Sequence, residues 1–407
     1  MKVLWFTTTT LIENSHVGSG SWVAGMYDIL KKHTEVELAI VSKSDNGKEY
    51  QYTYKGSNVY RIPIKRKVES KHIQMVSGII LREQPDIIQV WGTEDVWGLI
   101  PFKEICRHIP TVLDMQGVIY TVAREFQADL TWKERMLCWS LKEFLKPSSS
   151  LYMMQREYKR IVDSEIKVLK NFEHISCQSK WVKAYVRAVN TSAKLYDTGI
   201  ALRDVFYMAP KWLQRKEQTL RIFSTAIDSQ PLKGLYTLMK AFAIIHRQYP
   251  ESELVLAGVR PSGIRRGGFS KLLGRYAKRN GMSDSIKFLG KLSAEQLAEQ
   301  YRLCSVFVNP SFVESYSMVV TEAMYIGTPV VASFSGAMGE LGENKEVLYF
   351  PKGDAAMCAY QILQIYENPK LASQMSYNGM TLAKERQSRD NIARKQYSIY
   401  QSLLEDK

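Results

Sequence analysis

An α/β fold with two Rossmann-like domains is the class this sequence predicts, and three observations predict it. The chain opens with an apolar run, KVLWFTT (residues 2–8), followed by a polar, glycine-containing loop and a helical pattern over 21–32. The same order of strand, loop and helix restarts at LRIFSTAI (220–227), more than halfway along the chain. At 407 residues the chain is long enough for two or three domains, each burying its own core.

The first series is read element by element. VELAIVS (36–42) and NVYRIPI are apolar strands, a helix covers about 71–83, and Pro85-Asp86 leads into the strand IIQVW. A further helix and PTVLDMQG follow, and this alternation argues for a parallel sheet. In the first loop Gly18 and Gly20 would let backbone approach a bound group closely, although G-S-G without a third glycine also suits a plain flexible turn. Residues 121–170 read as mostly helical and carry Trp132, Trp139, Phe144, Lys142, Lys146, Arg156 and Arg160. Aromatics at helical spacing most often fill a core, which is the preferred reading; the other is a helix lying in a membrane interface. FEHISCQ and a helix over 179–188 close the first domain, and the charged run QRKEQ is the expected linker.

The second series follows the same rules. After LRIFSTAI, the helix GLYTLMKAFAIIHRQY places Leu235, Leu238, Met239, Phe242 and Ile245 on one apolar face. Lys233-Gly234 therefore falls at a strand-to-helix turn, where an ammonium and free N–H groups could share a diphosphate. ELVLAGV and SIKFLG are the next strands, then a helix with Ser293 and Gln296 placed for a capping box. SVFVN (305–309) ends at Pro310, a helix spans about 317–326 and stops at Gly327 and Pro329, and VVAS is a buried strand. VLYF, a helix over about 354–366 and a charged helical tail complete the chain.

The segment 309–333 concentrates chemistry. Glu314 precedes the 317–326 helix and Glu322 lies on its second turn. The N–H groups of Ser317, Met318 and Val319 could bind a phosphate, while each carboxylate could accept two hydrogen bonds from hydroxyls. Phosphate beside hydroxyls describes a nucleotide sugar. Acidic residues near a helix start also simply complement the helix dipole.

PSFVESYSMVVTEAMYIGTPVVAS resembles the E-x7-E region of retaining family 4 glycosyltransferases of the GT-B fold, with Glu314 and Glu322 as the two glutamates. PDIIQVWGTEDVWGL, TVLDMQG and TGIALRDVFYMAPKW resemble other segments of that family. The resemblance implies two Rossmann-like domains facing across a cleft, over 1–212 and 213–385, with residues 386–407 returning to the first. It implies that Gly18 and Gly20 face the acceptor cleft and that Gln116 borders the donor sugar, where many members carry histidine. Lys233 would contact the donor phosphate, Glu322 the ribose and Glu314 the sugar hydroxyls. Members usually have an arginine some residues upstream of the lysine, and here Ile227, Asp228 and Ser229 stand there. Arg260, or the pair Arg265-Arg266, could replace it. The expected activity is retaining hexosyl transfer from a UDP- or GDP-linked sugar to a glycan or lipid-linked acceptor, in surface polysaccharide or glycoconjugate synthesis. A nucleotide-sugar epimerase, a glycoside hydrolase using the two glutamates, and a basic anion-binding protein are the alternatives.

Composition bounds these readings. The chain is 45% hydrophobic and 24% charged, as ordinary globular proteins are. Five widely spaced cysteines without a C-x-x-C pair argue for a reducing compartment and no structural metal, and no metal or other cofactor is expected. The absence of a signal-like or bilayer-length apolar stretch leads to a cytoplasmic expectation, with peripheral attachment to the inner face of the membrane. A net charge of +14 favours anionic partners. Nucleic acid is not expected, because no helix-turn-helix, zinc or RNP pattern is present. An anionic membrane, reached through Lys65-Arg66-Lys67 and the basic aromatic helices of the first domain, is the expected surface partner.

Overall fold

The computed structural model describes residues 1–407 apart from 12–20, 66, 215–218, 260–266, 344 and 406–407. Gly18, Gly20, Arg66, Arg260, Arg265, Arg266 and most of the charged run QRKEQ lie outside the described residues. The chain divides into two compact units: Met1–Ile119, Ile161–Arg203 and Gln387–Lys407 form unit 1, and Tyr120–Arg160 with Asp204–Arg386 form unit 2.

Unit 1 is built on eight strands: β1 (Lys2–Thr7), β2 (Glu37–Lys43), β3 (Tyr50–Tyr54), β4 (Ser57–Ile62), β5 (Ile87–Trp91), β6 (Thr111–Met115), β7 (His174–Cys177) and β8 (Lys194–Asp197). Their order is β3-β4-β2-β1-β5-β6-β7-β8, and every neighbouring pair is parallel except β3 with β4. The central strands are buried and largely apolar because helices cover both faces of a parallel sheet, with Gln89 and Asp114 as polar exceptions. Leu4, Phe6, Ile88, Val90 and Leu113 are all fully buried within one core cluster. The opposite face carries polar groups: Tyr400, on helix Arg389–Glu405, donates to Gln89 and accepts from the indole N–H of Trp5 at 3.1 Å.

Two strands of this sheet escape the sequence reading. β3 is amphipathic and half exposed, and it joins β4 through Lys55-Gly56, both at positive φ (46° and 81°). A two-residue turn of that hand is ordinarily signalled by Asn-Gly or Asp-Gly, which this sequence lacks here. β8 is a four-residue edge strand with no fully buried residue.

Unit 2 has six parallel strands, β9 (Arg221–Ser224), β10 (Glu253–Ala257), β11 (Ile286–Gly290), β12 (Val306–Asn309), β13 (Val330–Phe334) and β14 (Val347–Pro351), ordered β11-β10-β9-β12-β13-β14. Helix Leu235–Gln248 buries the expected face, Leu235, Leu238, Met239, Phe242 and Ile245. Ser293 and Gln296 form their capping box, and Gly327 closes helix Met318–Ile326 in a left-handed conformation at φ 92°.

The units do not divide where a first domain of 1–212 would place them. Trp212 packs in unit 2, its backbone and indole N–H groups donating to Ile326 and Cys304 carbonyls, each at 2.8 Å. The segment Tyr120–Arg160, assigned to the first domain from chain order, is held to unit 2 by side-chain pairs. Asp129 meets Lys240 at 2.7 Å, Tyr236 donates to Glu134 at 2.7 Å, and Lys352 meets Glu125 at 2.9 Å. Its aromatics also divide. Phe126 is fully buried as a core reading requires, whereas Trp132, Trp139 and Phe144 are exposed.

Candidate active site

Strands β9, β12 and β13 are neighbours, and the loops leaving their carboxyl ends carry the candidate residues. That end of an open parallel sheet is where ligands bind. The β9 loop closes with the turn Pro231–Lys233 and Gly234, which starts helix Leu235–Gln248 at φ 73°. A Cβ on Gly234 would stand 1.9 Å from the Pro310 carbonyl oxygen, so the β9 and β12 loops meet backbone to backbone. The Phe312 N–H donates to the Leu232 carbonyl at 2.8 Å and locks the contact. Lys233 is thereby delivered to Glu314, with Nζ 3.1 Å from Oε1. Because both the left-handed backbone and the rigid neighbour exclude a side chain, Gly234→Ala is expected to lower unfolding stability by about 2–4 kcal/mol, read as a reduced urea midpoint. An unchanged midpoint would show that the loops can separate freely.

Glu314 is clamped from its other side. A Cβ on Gly336, after β13, would lie 2.1 Å from the Glu314 carbonyl oxygen, and the Ala337 N–H donates to that oxygen at 2.8 Å. The hydroxyls of Ser333 and Ser335 donate to the Ser311 carbonyl, the latter at 2.7 Å. Ser317, the N-cap of helix Met318–Ile326, adopts a left-handed conformation at φ 59° that non-glycine residues adopt at a cost of about 1–2 kcal/mol. Asn309 donates to its hydroxyl at 2.9 Å, and Thr321 donates to its carbonyl at 3.1 Å. The Ser317 side chain caps no N–H of the helix, so the first turn, with Met318 and Val319, is left to another acceptor. Glu322 is buried on this helix and accepts from the hydroxyl of fully buried Tyr301 at 3.2 Å. Lys233, Glu314, Ser317 and the first helical turn are thus brought together.

Tyr301, Asn309, Gly336 and the serines around Ser311 support these groups, and pattern reasoning assigned none of them a role. Asp228, one of the residues standing where members of the resembled family usually have an arginine, accepts from the Ser270 hydroxyl at 2.6 Å.

Gln116 lies in unit 1, just beyond β6, and its amide donates to Asp114. Asp114 is completely buried and also accepts from Ser176 at 2.6 Å and Gln178 at 3.4 Å. Burial pushes its carboxyl up to about 7, against the three hydrogen bonds, which favour the anion. A charged residue inside an otherwise apolar strand was the available signal for it. Because the folded value lies above the ordinary 3.8, Asp114 contributes stability at low pH that is lost as pH rises through about 7. Asp114→Asn is therefore expected to flatten the decline in unfolding free energy between those limits. The same slope in the variant would contradict it.

Among the described residues no group of three or more His, Cys, Asp or Glu side chains is arranged to hold a metal, and all five cysteines are free and buried. No described helix is long and apolar enough to cross a membrane.

Residues 209–381, which contain this whole loop cluster, match the family described as glycosyl transferases group 1. Over this segment, less than half of its length, the chain is similar to the group 1 glycosyl transferases. The D-inositol 3-phosphate glycosyltransferase of Streptomyces avermitilis is 34% identical over 152 residues, which are 36% of this chain and 32% of that protein. The corresponding protein of Corynebacterium urealyticum is 30% identical over 178 residues, 43% of this chain and 41% of that one. The chain thus spans well under half the length of these curated relatives. Among solved structures, sucrose-phosphate synthase from Thermosynechococcus elongatus aligns over 100% of both chains with a TM-score of 0.75 at 17% identity. Anabaena HepE in complex with UDP and glucose aligns over 98% of both chains with a TM-score of 0.66 at 17% identity. At such identities the likeness concerns the fold alone: two Rossmann-like domains in the GT-B arrangement of elements.

Proposed function

We propose that the chain transfers a hexosyl group, with retention of anomeric configuration, from a nucleoside diphosphate sugar to a hydroxyl of a glycan or lipid-linked acceptor in surface polysaccharide or glycoconjugate synthesis. The observation that carries the reading is the Lys233–Glu314 pair, fixed by backbone contacts beside an uncapped helix start. A diphosphate at this point meets Lys233 and the N–H groups of Ser317, Met318 and Val319, which offset the charge that grows on the leaving oxygen as the sugar–phosphate bond breaks. The acceptor oxygen forms its new bond to the anomeric carbon on the face the diphosphate leaves, and its proton passes to a departing phosphate oxygen. Glu314 orients sugar hydroxyls, and Glu322 accepts from the ribose. UDP is the first nucleotide to test, since HepE was solved with UDP and with UDP-glucose; GDP is the second.

Release of nucleoside diphosphate from a panel of UDP- and GDP-sugars, with the product anomer read by NMR, tests the proposal. An inverted anomer, or no release with any donor and acceptor, would refute it. Since Lys233 and the helix start carry the phosphate charge, turnover is expected to survive EDTA. Loss of activity restored by magnesium or manganese would assign that charge to a metal instead.

A further inference from the structure

Eight of the sixteen exposed large hydrophobic side chains among the described residues lie between positions 132 and 152. Trp132, Leu141, Phe144 and Leu145 are each at least 70% exposed, and Met136 and Trp139 on the same segment are exposed as well. Exposed apolar side chains concentrated in one short segment mark an interaction site.

The local construction explains why these residues face outward. Helices Trp132–Leu137 and Leu141–Leu145 are each started by a capping box, Thr131 with Glu134 and Ser140 with Glu143. Both capping glutamates also bind the body of unit 2: Glu134 accepts from Tyr236, and Glu143 accepts from the Gly268 N–H at 3.1 Å. Between the helices, the Cys138 carbonyl packs so closely that a Cβ on Gly268 would stand 1.4 Å from it. The acidic side chains are consequently drawn inward, Glu143 buried and Glu134 half-buried. Every exposed charge over residues 131–149 is a cation: Lys133, Arg135, Lys142 and Lys146.

From this separation we infer that residues 132–146 form a docking surface for an anionic lipid bilayer, with the aromatic and aliphatic side chains entering the interface and the four cations meeting phosphate headgroups. Charge complementarity selects the partner. Apolar side chains alone would suit another protein, but a rim purged of carboxylates suits a surface of uniform negative charge. The surface belongs to unit 2 rather than to the first domain, and the inference does not depend on the transfer chemistry.

Co-sedimentation of the full chain with phosphatidylcholine vesicles, with and without phosphatidylglycerol, tests it. Binding is expected to the anionic vesicles, to weaken with salt, and to shift tryptophan emission to the blue. Trp132→Ser with Phe144→Ser and Leu145→Ser, and separately Lys133→Glu with Lys142→Glu and Lys146→Glu, are each expected to reduce partitioning by at least about tenfold. The parent chain also decides the matter without any variant: equal binding to neutral and anionic vesicles, or none at low salt, overturns the inference. Variants that bind as the parent does would overturn it too. So would concentration-dependent self-association in sedimentation velocity that the apolar set abolishes, which would assign the face to a second copy.

Discussion

Lys233→Met is expected to lower turnover by about 10²- to 10³-fold, the range for removing one group that stabilises developing negative charge. The side chain is held over Glu314 by loops that touch at Gly234 and Pro310, so it is in place before the donor arrives. Affinity for the bare nucleoside diphosphate should fall as well, by about 1.5–3 kcal/mol, because the lost contact is a hydrogen bond to a charged group. Lys233→Arg keeps the charge but not its compact form and should recover only part of the rate. Calorimetry and a donor-release assay check both quantities. Turnover within about threefold of the parent would leave Lys233 as the ion-pair partner of Glu314 and nothing more.

Glu314→Gln and Glu322→Ala are expected to fail in different ways. Glu322→Ala removes an acceptor for ribose hydroxyls and leaves the Tyr301 hydroxyl without one of its partners, so affinity for bare nucleotide should drop by about 1–3 kcal/mol. Glu314→Gln preserves shape, releases the charge that Lys233 now faces, and alters the group beside the reacting sugar. Bare nucleotide should bind it as well as it binds the parent, or more tightly, while turnover falls by about 10²-fold if Glu314 acts chiefly in the transition state. Equal loss of nucleotide affinity in the two variants would collapse this division of labour. Normal turnover in Glu314→Gln would remove that residue from the site.

The second domain was the more legible half because its signals are local. The apolar stripe of helix Leu235–Gln248, the Ser293 capping box and the Gly327 stop each depend on residues within a few positions of one another, and local geometry decides them. Resemblance in the E-x7-E segment then placed Glu314, Glu322 and Lys233 within one family pattern. Strand β3 was missed because its turn uses Lys-Gly, and its half-exposed residues lack a buried strand's composition.

What pairs Lys233 with Glu314, 81 positions apart, is the adjacency of β9 and β12, a property of sheet order that no spacing encodes. The same holds for Tyr301 beneath Glu322 and for Asn309 holding Ser317 in its left-handed turn. The aromatic segment makes the point from the other side. Helical spacing showed that residues 121–170 possess apolar faces, but periodicity gives the direction of a face and not what covers it. Tertiary contacts, among them those of Glu125, Asp129, Glu134 and Glu143, attach the segment to unit 2, with Phe126 inward and Trp132, Trp139 and Phe144 toward solvent.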